Sequence, residues 1–212
     1  EDLREHASEI KEHTLTHLAD YLDEFSRNLE SNGVIVHWAK DAQEFNEIAY
    51  SILAEHNVKK LVKSKSMLTE ECEMNKYLIA KGIDVVETDL GERILQLMDL
   101  KPAHIVVPAA HITRDEVGEL FEKDGISKDI GNHDPTYLTQ CARYSLRQEF
   151  IEADAGMTGC NFGVASTGDC VVCTNEGNAD MSTSIPKLHI VSMGIDKVIP
   201  NYDTLAVFQR LL

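Results

Sequence analysis

Residues 60–98 read KLVKSKSMLTEECEMNKYLIAKGIDVVETDLGERILQLM, and this stretch decides the predicted fold. Two short β-branched runs, at 60–63 and 83–87, are each followed by a longer segment with apolar residues at three- and four-residue spacing. Short apolar runs predict buried strands, and the longer periodic segments predict amphipathic helices. The stretch therefore predicts strand, helix, strand, helix, with the helices at 69–80 and 89–98.

The same alternation extends over most of the chain. It predicts further strands at 34–38, 104–108, 188–193 and 197–199, helices at 41–53, 113–123 and 135–152, and a glycine-rich hairpin at 156–174. Parallel strands joined by helical crossovers form an open sheet with helices on both faces. We therefore expect an α/β fold with an open, mostly parallel sheet.

The first 32 residues differ from the rest because they predict helix alone. Apolar residues recur there at helical spacing, and Asn32-Gly33 follows as a stop signal. We expect a helical arm at 1–32 and an α/β domain at 33–212. The apolar stripe of the arm consists of Leu15, Leu18, Leu22, Phe25 and Leu29.

Charge and hydropathy exclude several classes of partner. The chain has 36 acidic and 20 basic side chains and a net charge of −16, whereas nucleic-acid binding needs clustered Lys and Arg. No stretch approaches the roughly 18 apolar residues of a membrane span, and the first residues are too charged for a secretory signal. We expect a soluble, cytoplasmic protein with no nucleic-acid partner and no membrane span.

Five cysteines, an odd number, do not indicate a disulfide framework. Cys170 and Cys173 form a C-x-x-C pair, but the pair lies in an extended apolar run. Residues three apart in a strand point to opposite faces, so these two thiols are not expected to converge. The sequence therefore predicts no metal site.

Polar residues follow the predicted strands, where open α/β sheets bind their ligands. Lys63, Ser64, Lys65 and Ser66 place two cations and two hydroxyls at a strand-to-helix turn. Such a turn suits a carboxylate or phosphate, because free backbone N–H groups add positive potential. The alternative is a capped helix start with solvated lysines.

Three further residues are candidates by position. Glu87 ends the strand at 83–87 and is expected to face the ligand crevice, where it suits a cation. His111 follows the strand predicted at 104–108 and suits either acid–base chemistry or a bond that holds a loop. His189 enters another predicted strand and faces either the crevice or the core.

The glycine-rich segment at 156–178 contains five of the chain's twelve glycines, interspersed with polar residues. This composition favours the wall of a site over a plain hairpin. Glu176 is the expected catalytic carboxylate, together with His111, because Asn175 and Asn178 can hydrogen-bond it and Gly177 opens space. The other expected ligand contacts in this segment are Thr158, Asn161 and Thr174.

Several short motifs occur in a characteristic order, and together they resemble the LUD-domain family, within it the B-type iron–sulfur subunit of lactate utilization. The match covers nearly the whole chain. The motifs are Lys65-Ser-Met67, Glu87-Thr-Asp-Leu-Gly-Glu92, Pro102-x-His104-Ile105, Thr158-Gly-x-Asn-Phe162, Thr174-Asn-Glu-Gly-Asn178 and Pro186-x-x-His189-Ile190.

The resemblance implies a fold of the NagB/RpiA/CoA-transferase kind. It also implies a place in a three-subunit complex that oxidises L-lactate to pyruvate, with the other lactate utilization subunits as partners and lactate or pyruvate as a small carboxylate ligand. Electrons would pass through 4Fe–4S clusters. Those clusters are expected in a C-terminal ferredoxin-type domain that this chain does not include, so no residue here is assigned as a cluster ligand.

Three functions remain open at the level of sequence. The domain is either a ligand-binding part of the complex, inactive alone, or a non-catalytic docking module that positions the cluster domain against partner subunits. Fold analogy adds a third possibility, a CoA-transferase or sugar-phosphate isomerase, in which Glu176 would serve as acyl carrier.

Overall fold

The computed structural model describes residues 1–64, 66–100 and 108–212. Their helices are α1 (Asp2–Thr16), α2 (Leu18–Ser31), α3 (Ala42–Glu55), α4 (Met67–Glu71), α5 (Met74–Ala80), α6 (Leu90–Met98), α7 (Arg114–Lys123), α8 (Pro135–Glu152), α9 (Asn178–Ser184) and α10 (Tyr202–Gln209). Their strands are β1 (Lys60–Ser64), β2 (Asp84–Glu87), β3 (Ala155–Gly159), β4 (Phe162–Val164), β5 (Asp169–Val171), β6 (Leu188–Ser192) and β7 (Val198–Ile199).

The main sheet has the strand order β2-β1-β3-β6, and every pair in it is parallel. From β1 the chain proceeds to β2 on one side, whereas from β3 it proceeds to β6 on the other. The carboxyl ends of β1 and β3 therefore lie at a topological switch point, where Ser64 pairs with Thr158. Open α/β sheets bind ligands at such a point.

Helices cover both faces of the main sheet, as predicted. Successive residues of a strand point to opposite faces, so Leu61 and Val62 of β1 enter different cores. Leu61 packs with Leu53 of α3 and Leu78 of α5, and all three are fully buried. Val62 packs on the opposite face against Phe150 of α8. The predicted α/β class with an open parallel sheet is confirmed.

A second sheet, with the order β5-β4-β7, carries the helical arm. Phe25 and Leu29 of α2 pack against Ala165 and Val198, and all four are buried. Gly168 in the turn before β5 has φ +77°, and a Cβ there would lie 2.6 Å from the backbone nitrogen of Leu29. Only glycine therefore allows the β4–β5 turn to contact α2 this closely.

Local patterns predicted some boundaries wrongly. The arm forms two helices instead of one, because the backbone of His17 leaves the helical region at φ −112°. The helix predicted at 69–80 is divided into α4 and α5, and Glu73 between them has φ +49°. The hairpin predicted at 156–174 is confined to β4 and β5, since β3 joins the main sheet.

The strand predicted at 34–38 is absent from the structure. The segment carries β-branched residues, but it pairs with no strand among the described residues, and Ile35 is 80 % exposed. Val36 packs on the α2 core instead. A strand needs a neighbouring backbone as well as propensity. Of the strand predicted at 104–108, residues 104–107 lie outside the described part of the chain.

Candidate functional site

Lys63 lies at the carboxyl end of β1 with its side chain only 1 % exposed. Its Nζ contacts Glu70 Oε1 and Glu87 Oε1, each at 2.8 Å, and donates to Thr69 Oγ1 at 2.9 Å. Burial favours the neutral amine, but the charges of Glu87 and Glu70 outweigh burial, and the pKa of Lys63 is raised. The ammonium group predicted to hold an anion is therefore already paired with two carboxylates.

A third carboxyl group completes this arrangement. Glu92 of α6 hydrogen-bonds Glu87, and burial together with the Glu87 charge raises the pKa of Glu92 to about 8. At neutral pH Glu92 thus keeps a proton that it can donate to Glu87. Asn75 Nδ2 donates to Glu87 Oε1 at 2.5 Å. We call Lys63, Glu70, Glu87 and Glu92 the lysine–carboxylate cluster.

The sequence pointed to Lys63 and Glu87 because both end strands. It did not single out Glu70 or Glu92 as site residues. Both lie in the turns and helices that follow β1 and β2, where a chain leaving the sheet can bring side chains back over the strand ends. The crowding of acidic residues in the stretch at 60–98 was the available signal, but acidic residues on helices are usually solvated.

Five buried hydroxyl groups lie around the carboxyl ends of β1, β3 and β6. Ser66 Oγ lies 2.8 Å from Ser192 Oγ, and Ser192 Oγ donates to the Thr158 carbonyl at 3.1 Å. Ser64 Oγ lies 3.5 Å from Ser182 Oγ of α9. We call these five residues the hydroxyl cluster. It occupies the switch point between β1 and β3.

His189 of β6 adjoins the hydroxyl cluster. Its Nε2 lies 2.9 Å from Thr158 Oγ1 on the neighbouring strand. Burial lowers the pKa of His189, so the imidazole is neutral at pH 7. The structure thus brings together Ser64, Ser66, Thr158 and His189, four of the ligand contacts predicted from the sequence, and the polar groups that they present are uncharged.

The first residue of α9, Asn178, has a buried donor with no acceptor among the described residues. Asn178 is 4 % exposed, and its Oδ1 accepts from Ala179 N at 2.9 Å and from Thr174 Oγ1 at 3.4 Å. These two bonds orient the amide, and its Nδ2 has no acceptor among the described residues. Asn178 lies four residues before Ser182, on the same face of α9. Asn178 is therefore one helical turn from Ser182 of the hydroxyl cluster.

The proposed catalytic residues occupy exposed positions. Glu176 lies at the surface, and the amide nitrogen of Asn175 lies 2.8 Å from both of its carboxylate oxygens. Gly177 has φ +78° and begins α9. His111 is exposed two residues before Thr113, the N-cap of α7. Neither the carboxylate of Glu176 nor the imidazole of His111 lies in the buried part of the site.

Asn161 has a structural role in addition to the predicted ligand contact. Its Oδ1 accepts from the Cys173 backbone at 2.8 Å, and its own N–H donates to the Val171 carbonyl at 2.8 Å. These bonds hold the base of the β4–β5 hairpin. The predicted ligand residue Lys65 lies outside the described residues.

The described ranges lack both a metal-ligand cluster and a helix suited to span a membrane. In 1–64, 66–100 and 108–212, no three His, Cys, Asp or Glu side chains converge in a way that could hold a metal ion. The side chains present there do not fit the four-thiolate ligand set of an iron–sulfur cluster. None of the helices in these ranges is both long and apolar enough to span a membrane.

The strand order and the switch-point cluster define an α/β protein of the open parallel-sheet class, with polar groups at the carboxyl ends of its strands. The chain belongs to the LUD-domain family, because the LUD domain profile matches residues 22–212. This match confirms the resemblance inferred from the short motifs.

The relatives carry a common name. The chain is 44 % identical over 214 residues to lactate utilization protein B of Macrococcus caseolyticus and 46 % identical over 214 residues to lactate utilization protein B of Bacillus pumilus. Each alignment covers 100 % of this chain but only 44 % and 45 % of the respective relative. The chain thus spans less than half the length of these curated relatives.

Proposed function

We propose that this LUD domain serves lactate utilization, as part of the iron–sulfur subunit of a complex that oxidises L-lactate to pyruvate. In this role it binds a small carboxylate, lactate or pyruvate, at the switch point between β1 and β3. Its partners are the other lactate utilization subunits. The names of the relatives and their identity over the whole chain support the proposal.

The observation that carries the ligand proposal is the unpartnered Nδ2 of Asn178. A buried donor without an acceptor costs about 1–3 kcal/mol, and a ligand oxygen would remove that cost. A carboxylate supplies two acceptor oxygens, one for Asn178 and one for a hydroxyl of the neighbouring cluster, such as Thr158. The ammonium group of Lys63 is already paired, so neutral donors would make these contacts.

Oxidation of lactate requires removal of protons and of two electrons. We propose that Glu176 accepts a proton, with His111 as the second candidate, because both are exposed to a ligand entering from solvent. When bound, 4Fe–4S clusters supply the path for the electrons. The thiols described here do not form a cluster site, so we propose that the clusters lie outside this segment.

Titration calorimetry tests the binding site directly. We expect L-lactate and pyruvate to bind this chain, and the uncharged analogue lactamide to bind much more weakly. Asn178→Asp keeps the shape of the side chain but replaces the donor with an acceptor. Loss of a charge-assisted hydrogen bond of about 1.5–3 kcal/mol weakens binding roughly 10- to 100-fold. Asn32→Asp, an exposed substitution of equal charge, should leave the affinity unchanged.

Two outcomes would contradict the ligand proposal. One is a folded protein that binds none of these compounds. The other is equal affinity in the wild-type protein and in Asn178→Asp. The catalytic proposal is tested separately in the complete complex, in which Glu176→Gln should abolish lactate-dependent turnover. Full turnover in an assembled Glu176→Gln complex would favour a docking role for the domain.

A further inference from the structure

An irregular strand pairing brings two cysteines to the same face of the second sheet. Phe162 pairs with Val171, and the N–H of Asn161 also donates to the Val171 carbonyl at 2.8 Å. Two residues of one strand therefore oppose one residue of the other, which is a β-bulge. The extra residue shifts the alternation, so that Cys160 faces the same side as Cys170.

The two thiols contact each other. Cys160 and Cys170 are hydrogen-bonded through their side chains, and Cys160 Sγ also lies 3.1 Å from the Phe162 carbonyl. Both cysteines are free and half-buried, so solvent reaches them. In contrast to the C-x-x-C pair, whose residues lie three apart, this pair is close in space and ten residues apart in sequence.

The contact also makes the two thiols chemically different. The hydrogen bond with Cys170, reinforced by burial, raises the pKa of Cys160. The hydrogen bond from Cys160 lowers the pKa of Cys170 against the effect of burial. Cys170 is therefore the thiol that ionises first. A thiolate is the attacking species in thiol–disulfide exchange.

We propose that Cys160 and Cys170 form a reversible disulfide by exchange with a low-molecular-weight disulfide. The Cys170 thiolate attacks one sulfur of that compound, forming a mixed disulfide and releasing one small thiolate, which takes up a proton. Cys160 then loses its proton and attacks the Cys170 sulfur, releasing the second small thiolate. The protein loses two electrons and two protons, and the small disulfide is reduced to two thiols.

The position of the pair gives the disulfide a structural consequence. Cys160 directly follows β3, whose last two residues are Thr158 of the hydroxyl cluster and Gly159. Cys170 lies in the middle of β5. The disulfide therefore ties the carboxyl end of β3 to the outer strand of the second sheet. The proposal rests on this geometry and is independent of the proposed binding of a carboxylate.

Thiol mapping tests the proposal. The folded protein is incubated with oxidised glutathione and quenched with acid, and the remaining thiols are alkylated after denaturation. We expect two of the five thiols to be protected and a peptide that links Cys160 to Cys170. Dithiothreitol should restore all five. Cys173→Ala should form the same link, whereas Cys160→Ala should stop at a glutathione adduct on Cys170.

Several results would overturn the proposal. These are complete alkylation of all five thiols after oxidation, or a linked peptide that contains Cys173 in place of Cys160 or Cys170. Circular dichroism of each variant, reduced and oxidised, shows whether the substitution preserves the fold. A second measurement uses a variant in which every cysteine except Cys160 and Cys170 is alanine. Failure of this variant to form an intramolecular disulfide while folded would contradict the proposal directly.

Discussion

The shared proton of Glu87 and Glu92 makes the stability of the folded protein fall as the pH rises. The pKa of Glu92 is about 8 in the folded state, against an ordinary value of 4.5. Between these values the folded protein binds more protons than the unfolded chain, so the free energy of unfolding decreases with increasing pH. Glu92→Gln removes the titrating group but keeps a hydrogen-bond donor for Glu87. The decrease in the free energy of unfolding that Glu92 causes should therefore be absent from this variant.

The size of the effect follows from the pKa shift. One pKa unit corresponds to about 1.36 kcal/mol, so the interval from about pH 5 to about pH 7 gives an upper limit of about 2.7 kcal/mol. Glu92 shares its proton with Glu87 and is partly exposed, so we expect roughly 1–2 kcal/mol. In a domain of this size that is roughly 2–8 °C in melting temperature.

Thermal unfolding at several pH values measures the effect. We expect the wild-type melting temperature to fall more steeply than that of Glu92→Gln between about pH 5 and about pH 8. Asp154 and Asp169 are carboxylates whose pKa is lowered, so they change the free energy of unfolding only at lower pH. Both proteins contain them, so they do not affect the comparison. Glu119→Gln, an exposed substitution on α7, should follow the wild-type curve.

Equal slopes of melting temperature against pH for the wild-type protein and Glu92→Gln would refute the proposed protonation of Glu92 in the lysine–carboxylate cluster. Such a result would mean that Glu92 is ionised at neutral pH, and that Glu87 and Glu92 do not share a proton. A Glu92→Gln protein that is less stable than the wild type at every pH, with an unchanged slope, would lead to the same conclusion.

Three further substitutions, and one control substitution, test the packing of the fold by denaturant unfolding. Lys63→Met leaves the buried carboxylate of Glu87 without its ion-pair partner and should cost about 3–5 kcal/mol, whereas Lys60→Met, whose ion pairs are partly exposed, should cost about 1 kcal/mol or less. Gly156→Ala should prevent folding, because its Cβ would lie 1.8 Å from the Ser182 carbonyl oxygen, and a stable variant would show that α9 does not pack on β3 as described. Phe25→Ala should cost about 3–5 kcal/mol if the arm belongs to the fold, and a loss below about 1 kcal/mol would contradict the α2 contact.

Much of the helical structure was predictable from local signals. The helix predicted at 135–152 coincides with α8, which begins with Asp134 as N-cap and a proline at its first position. The helix predicted at 113–123 is α7, with a capping box between Thr113 and Glu116. The strands β1, β2 and β6 were predicted from short β-branched runs. In each case the deciding residues are neighbours in sequence, so the sequence contains the whole signal.

The candidate site was predictable only in part. The composition of the glycine-rich segment indicated Thr158. The strand-end rule identified Ser64 and Ser66, because a parallel sheet brings such ends to one edge. The rule also identified Lys63, but it could not show that the ammonium group of Lys63 forms ion pairs with two carboxylates. That depends on how α4 and β2 place their side chains around β1. The catalytic roles of Glu176 and His111 stay predictions.

By itself, the sequence determined the α/β class, most helix boundaries and the family, because periodicity, caps and ordered motifs are local properties of the chain. Only the tertiary structure decided that residues 34–38 are not a strand, that Glu92 keeps a proton beside Glu87, and that the β-bulge brings Cys160 to Cys170. The physical reason is common to all three. Strand pairing, burial and proton sharing depend on groups that are distant in sequence and become neighbours only when the chain folds.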